Sequence, residues 1–204
     1  MYINTFKYQP SDVSCVLCTE YKKKQGCTAS RCPWLKERIE AGVVGYREAV
    51  LETMPHDRAL HPRLSLLVKS YPGTLWSNVQ HEKRMETAKA ILGFRRRRDT
   101  PHYYAAMYLL TANDDIYRRT ANCFCRNSLE FDYAVLREIS EHNYALYKAA
   151  KSIYTGNAEV TFADLADPEV IGTEAFRLIV NAILIARYGL DAFRLRERSG
   201  ENVR

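Results

Sequence analysis

The sequence lacks a long apolar run. Its longest apolar stretch, residues 178–186, is interrupted by Asn181 and is far shorter than the about 20 residues that a membrane-spanning helix needs. Residues 1–10 have neither the basic start nor the apolar segment of a signal peptide. We therefore expect a cytoplasmic protein with no membrane association, in a compartment where thiols stay reduced.

The signature motifs of common enzyme classes are also missing. The chain contains no glycine-rich phosphate loop, no nucleophile elbow and no kinase signature. The five histidines are scattered, and His81-Glu82 lacks the second histidine of a zinc-protease motif. We predict that the protein is not an enzyme. An enzyme whose site is assembled from residues distant in sequence is the remaining alternative.

Acidic residues are outnumbered by basic ones. The 204 residues include 30 Lys and Arg against 24 Asp and Glu, which gives a formal net charge of +6. An excess of this size favours acidic partners, such as nucleic acid or an acidic protein surface, without requiring them. The hydrophobic fraction of 47% is that of a folded chain which can bury a sizeable core.

Cysteine is concentrated in one segment. Cys15, Cys18, Cys27 and Cys32 lie within eighteen residues and are spaced C-x2-C-x8-C-x4-C. Four thiolates fill the tetrahedral shell of Zn2+, so such a site would be structural rather than catalytic. The same four residues could hold an iron–sulfur cluster. Unligated thiols or a redox pair are the further alternative.

Two clusters of basic residues are candidates for phosphate contacts. One lies between or beside the cysteines, and the other follows a predicted helix. The members are Lys22, Lys23, Lys24 and Arg31 in the first cluster, and Arg95, Arg96, Arg97 and Arg98 in the second. Clustered cations on an ordered loop can neutralise a nucleic-acid backbone. The alternatives are a solvated loop for the lysines and stabilisation of a helix dipole for the arginines.

Apolar residues at three- and four-residue intervals predict mainly helical structure. One helix is predicted from Pro33 to about residue 54, with Gly42 and Gly45 as weak points, and another over residues 74–94.

Residues with capping side chains mark the starts of further helices. Thr100, Asn113, Ser140 and Thr173 each precede an apolar pattern and are predicted N-caps. The helix from Thr173 to Tyr188 is apolar around most of its circumference, which is typical of the central helix of a bundle.

These patterns predict a mainly α fold, in which a small four-cysteine metal-binding N-terminal module is followed by a helical bundle. We divide the chain into three ranges. They are residues 1–54, the module with its following helix; residues 55–99, a connecting region with a helix and the arginine run; and residues 100–204, a helical domain with a charged C-terminal tail.

Two parts of the chain resemble known proteins. The block from Cys15 to Cys32, which continues through Pro33 and Trp34 to Arg38, is similar to cysteine-bearing accessory proteins carried by conjugative elements and phages of Gram-positive bacteria. Residues 103–114 and 143–156 resemble a helical module found in the same setting. The resemblance implies an accessory protein of a mobile genetic element and supplies no catalytic residue. Such proteins include regulators, DNA-processing helpers and inhibitors of host defence.

The leading hypothesis is therefore a metal-stabilised, non-enzymatic protein that binds nucleic acid or a nucleoprotein complex through residues 22–24 and 95–98. The rival hypothesis is an inhibitor or adaptor that binds a host protein through exposed helix faces, for example an anti-defence protein of the anti-CRISPR kind.

Overall fold

The structure is a computed structural model that describes residues 8–15, 17–20, 32–54 and 57–196. Within these ranges the chain is mainly helical, which confirms the predicted fold class. The α-helices are α1 (Leu35–Glu40), α2 (Tyr46–Thr53), α3 (His61–Lys69), α4 (Val79–Leu92), α5 (Pro101–Leu110), α6 (Asp114–Thr120), α7 (Glu141–Thr155), α8 (Phe162–Ala166) and α9 (Thr173–Tyr188). Short 3-10 helices occur at Pro10–Val13, Ala121–Cys123, Phe131–Tyr133 and Gly189–Arg194.

Helix α9 lies at the centre of the bundle, as its apolar circumference predicts. It packs against α2, α5, α7 and the 3-10 turn that follows it. Its main neighbour, α5, is buried over seven of its ten residues. None of the helices in the described ranges combines the length and apolar character needed to cross a membrane.

Local capping signals place most helix starts. The side chains of Thr100, Asn113 and Ser140 each accept a hydrogen bond from a backbone N–H in the first turn of α5, α6 and α7, as predicted. At α9 the prediction was one residue off, because Gly172 occupies the N-cap position and Thr173 is the first helical residue. Helix α4 begins at Val79 rather than at residue 74.

Residues 33–54 form two helices where the sequence predicts one. Gly42 has a φ of +74°, a left-handed conformation that glycine adopts without steric cost. The N–H of Val43 then donates to the carbonyl of Arg38 at 2.9 Å, as in the Schellman motif that ends many helices. The second predicted weak point, Gly45, becomes the N-cap of α2.

A buried polar network joins α2 to α9. The hydroxyl of Tyr46 donates to Oδ1 of Asn181 at 2.7 Å, and Nδ2 of Asn181 donates to the carbonyl of Leu75 at 3.2 Å. Tyr108 donates its hydroxyl to the same carbonyl. Burial raises the pKa values of Tyr46 and Tyr108 above the ordinary range for tyrosine, so both hydroxyls remain donors at physiological pH.

A buried histidine fixes α4 against α5. Nε2 of His81 lies 2.8 Å from the carbonyl of Tyr108 and must donate to it, while Nδ1 accepts from the N–H of Ser77 at 3.3 Å. Burial lowers the pKa of His81 to about 4, so the ring is neutral at pH 7. His81 therefore holds the core together and is not exposed for catalysis.

The three predicted ranges share one hydrophobic core. Its buried side chains run from Leu35 on α1 to Leu195 after the last 3-10 turn. Helices α2 and α9 are joined by the hydrogen bond between Tyr46 and Asn181. They are also joined by an ion pair between Arg187 on α9 and Glu52 on α2 at 2.6 Å. The helices that follow the cysteine segment are therefore packed into the bundle.

Candidate functional site: a cysteine cavity and an arginine surface

Three of the four clustered cysteines line one cavity. Cys15, Cys18 and Cys32 border a space of about 260 Å³ beside the start of α1, together with Trp34 and Arg38. The N–H of Cys18 donates to the carbonyl of Cys15 at 3.3 Å, which gives the C-x2-C segment the tight turn that metal knuckles use. Three of the four predicted ligands therefore border the same cavity.

Arg38 contacts one of the cysteines that border this cavity. Its Nη1 donates to Sγ of Cys32 at 3.8 Å. Across the described ranges, however, no three His, Cys, Asp or Glu side chains are grouped closely enough to hold an ion. The fourth predicted ligand, Cys27, lies outside the described residues, so the four-cysteine site stays a prediction.

Lys22, Lys23, Lys24 and Arg31 lie outside the described residues. Their proposed contact with phosphate therefore also stays a prediction, and the arginine run after α4 is the basic cluster that the structure describes.

Arg98 is the buried member of that run. Its side chain is only 2% exposed, and Nε pairs with Oδ1 of Asp99 at 2.7 Å. Nη2 donates to the carbonyl of Gly93 at 2.6 Å, and Nη1 donates to the carbonyl of Arg126 at 3.1 Å. The guanidinium also lies 4.8 Å from the ring centre of Tyr103. The guanidinium nitrogens of Arg98 are thus bonded within the protein, and Arg98 is left out of the surface proposed below to contact phosphate.

Asp99 completes the arrangement that fixes this loop. Its side chain is 4% exposed, and Oδ2 accepts from the N–H of Arg95 at 3.1 Å and from the hydroxyl of Tyr104 at 3.2 Å. The carboxylate is therefore buried against one guanidinium and two neutral donors. Arg98 balances the negative charge of Asp99. The positive charges of Arg95, Arg96 and Arg97 are therefore not balanced by Asp99.

Arg95, Arg96 and Arg97 are exposed. In the part of the chain that the structure describes, their side chains have no ion pair and no hydrogen bond. The loop that carries them is fixed at both ends by Arg98 and Asp99. Three free guanidinium groups are thus presented on an ordered segment.

Arg126, from a distant part of the chain, lies with its backbone beside Arg98. Its backbone carbonyl is held by Arg98, and its side chain is exposed. The turn that carries it is closed by a bridge between Phe124 and Leu129. We call Arg95, Arg96, Arg97 and Arg126 the arginine surface. The sequence gives no pattern that would single out Arg126, because its position depends on a contact across 28 residues.

Of the two remaining cysteines, Cys123 is a poor candidate for chemistry. Burial raises the pKa of the Cys123 thiol to about 11, so the thiol is protonated at neutral pH and neither nucleophilic nor a ready metal ligand. Cys125 is partly exposed. The structure thus offers the cysteine cavity and the arginine surface as the two candidate functional regions.

The comparisons with known proteins add no relative. No family model matches the sequence, and neither a curated protein nor a solved structure matches it.

Proposed function

We propose that this is a metal-stabilised, non-enzymatic helical protein that binds nucleic acid through the arginine surface. The observation that carries the proposal is the contrast within one run of four arginines. Arg98 is buried and bonded to Asp99 and two backbone carbonyls, whereas Arg95, Arg96 and Arg97 are exposed, with no side-chain partner among the described residues, on the loop that Arg98 holds. An ordered loop with free guanidinium groups suits a partner with repeated negative charges.

Two other surface arginines, both on α6, pair with acidic residues of the same helix. Arg118 pairs with Asp114 at 3.2 Å, and Arg119 pairs with Asp115 at 2.8 Å. Such i,i+4 pairs stabilise a helix and leave little charge for a partner. The side chains of the arginine surface make no such pairs in the described ranges, so they keep their full charge for a phosphate backbone.

Zinc bound by Cys15, Cys18, Cys27 and Cys32 is the metal part of the proposal. The shared cavity of three of these residues supports it. Four thiolates leave no open position on the ion, so zinc would order the N-terminal segment and take no part in a reaction. The residues 22–24 would then be presented on a metal-fixed loop as a second basic site.

The proposed setting is that of an accessory protein of a mobile genetic element, which fits a small protein that contacts DNA or RNA. The rival, an adaptor or anti-defence protein that binds a host protein, is supported by the exposed Ile91 and Phe94 near the arginines. The two hypotheses differ in what the arginine side chains contact, so a nucleic-acid binding assay separates them.

Replacing Arg95, Arg96 and Arg97 together by Gln is expected to weaken nucleic-acid binding about 10- to 100-fold at low salt, because three phosphate contacts are lost. The measurement is fluorescence anisotropy with labelled single-stranded and double-stranded oligonucleotides. Thermal unfolding should be nearly unchanged, since exposed side chains contribute little to stability.

The matched control removes the same charge elsewhere. Arg47, Arg58 and Lys69 are exposed on or near α2 and α3, and their replacement by Gln should weaken binding far less. Equal losses in the two triple variants would show a general charge effect without a site. If the unmodified protein binds neither form of nucleic acid at low salt, the proposed function is wrong.

The purified protein is expected to contain one zinc ion per chain and to be colourless, and Cys15→Ser should lose the ion because it removes one of four ligands. Elemental analysis and an absorption spectrum measure both properties. Cys125→Ser, a substitution outside the cluster, should keep the metal. Iron with a visible absorption band would support the cluster alternative, and the absence of any stoichiometric metal would rule out both.

A further inference from the structure

A small aromatic cavity lies beside the arginine surface. Its volume is about 180 Å³. It is bordered by the end of α4, the loop that follows it and the start of α5. The residues that line it are Lys89, Gly93, Phe94, Arg98, Asp99, Tyr103, Tyr104 and Met107. Because Arg98 and Asp99 also hold the arginine loop, the cavity and the loop belong to one structural unit.

Two side chains of this cavity have features suited to a ligand. The hydroxyl of Tyr103 is buried and has no hydrogen-bond partner among the described residues. Buried polar groups are almost always bonded, so this hydroxyl is open to a further hydrogen-bond partner. Phe94 is 74% exposed although it borders the cavity. An exposed aromatic ring and a buried free hydroxyl are the two features that a planar heterocycle can use at once.

The size of the cavity limits what can occupy it. Pockets for drug-sized ligands measure roughly 300–1,000 Å³, so this cavity suits a smaller group that is held by contacts elsewhere. A nucleobase that projects from a phosphate backbone meets that condition. Every base has a flat face that stacks on an aromatic side chain, and its polar edge can bond to a hydroxyl such as that of Tyr103.

The charge of the surroundings favours a nucleic acid over a peptide. Lys89 borders the cavity and pairs with Glu86 at 2.8 Å, whereas Arg95, Arg96 and Arg97 lie exposed on the adjoining loop. A phosphate on either side of an inserted base would meet these arginines. In a duplex the base faces are stacked on one another, so only a single strand can offer a free base without the cost of flipping it out.

We propose that the protein binds single-stranded nucleic acid, with its phosphates on the arginine surface and one unpaired base inserted in the cavity between Phe94, Tyr103 and Tyr104. The inference rests on the proposed function and specifies the form of nucleic acid that the surface takes. Recognition is by stacking, which tolerates any base sequence.

The test compares a short oligothymidylate with an abasic oligomer that has the same number of phosphates. The protein should bind the base-bearing strand about 10-fold more tightly, which is the effect of one stacked base. Phe94→Ala should reduce this preference to about 2-fold. Phe162→Ala, which removes a 51% exposed aromatic ring from α8, should leave the preference unchanged.

A second variant separates base binding from structure. Tyr103→Phe removes the unpaired buried hydroxyl, so the free protein should become at least as stable as the parent, whereas its preference for the base-bearing strand should fall. A purely structural hydroxyl would lower stability when removed and would not change that preference.

The experiment distinguishes a failure of base insertion from a failure of the proposed function. Equal binding of the two oligomers by the unmodified protein, or a preference that Phe94→Ala leaves intact, overturns base insertion while binding to the arginine surface stands. The Gln variant of Arg95, Arg96 and Arg97 should weaken both oligomers to the same extent and preserve the ratio. If neither oligomer binds at low salt, base insertion and the proposed function are both overturned.

Discussion

Replacing Arg98 by Met is expected to lower the free energy of unfolding by about 3–5 kcal/mol, the usual cost of removing one partner from a buried ion pair. The substitution leaves the Asp99 carboxylate, 4% exposed, without its cation. It also leaves the carbonyls of Gly93 and Arg126 without their donor. Urea unfolding followed by circular dichroism measures the loss.

The control for this substitution is the next residue in the chain. Arg97→Met makes the same chemical change at an exposed position and should alter stability by less than about 0.5 kcal/mol. A second variant, in which Asp99→Asn accompanies Arg98→Met, should recover part of the loss because the uncompensated carboxylate is gone. Equal effects of the two single substitutions would contradict the scaffold role of Arg98.

Replacing Asn181 by Leu is expected to cost about 2–4 kcal/mol, because it leaves buried polar groups unpaired and places a bulkier side chain in the core. Asn181 is 1% exposed and bridges the Tyr46 hydroxyl and the Leu75 carbonyl. Tyr46 lies on α2 and Leu75 lies before α4, whereas Asn181 lies on α9. The substitution should therefore weaken the packing of α2 and of the segment before α4 against α9. Chemical denaturation again measures it.

A double-mutant cycle with Tyr46→Phe tests the mechanism. When the Tyr46 hydroxyl is already absent, Asn181→Leu no longer leaves it unpaired, and the cost of the substitution should fall by about 1 kcal/mol. Strict additivity of the two substitutions would show that the hydrogen bond between them contributes nothing to stability.

Features that depend on local chemistry were predictable from the sequence. The N-caps at Thr100, Asn113 and Ser140 were placed correctly because a capping side chain acts only on its own first turn. The central position of α9 followed from its apolar circumference. The single helix predicted over residues 33–54 was wrong, because Gly42 in the left-handed conformation ends α1 there.

The arginine run shows what sequence alone does not reveal. Its four residues are chemically identical, yet Arg98 is buried and the other three are exposed. The difference arises from tertiary contacts of Arg98, above all with the carbonyl of Arg126. Arg126 itself was missed for the same reason. The cavity beside Phe94 and the unpaired hydroxyl of Tyr103 likewise depend on how α4 and α5 meet.

The salt dependence of single-strand binding tests most directly whether the arginine surface contacts phosphates. The unmodified protein should lose affinity steeply between about 50 and 200 mM salt. In the Gln variant of Arg95, Arg96 and Arg97, the slope of log affinity against log salt concentration should be shallower by about 2, as three lost phosphate contacts require. Identical slopes for the two proteins would contradict phosphate binding by these arginines.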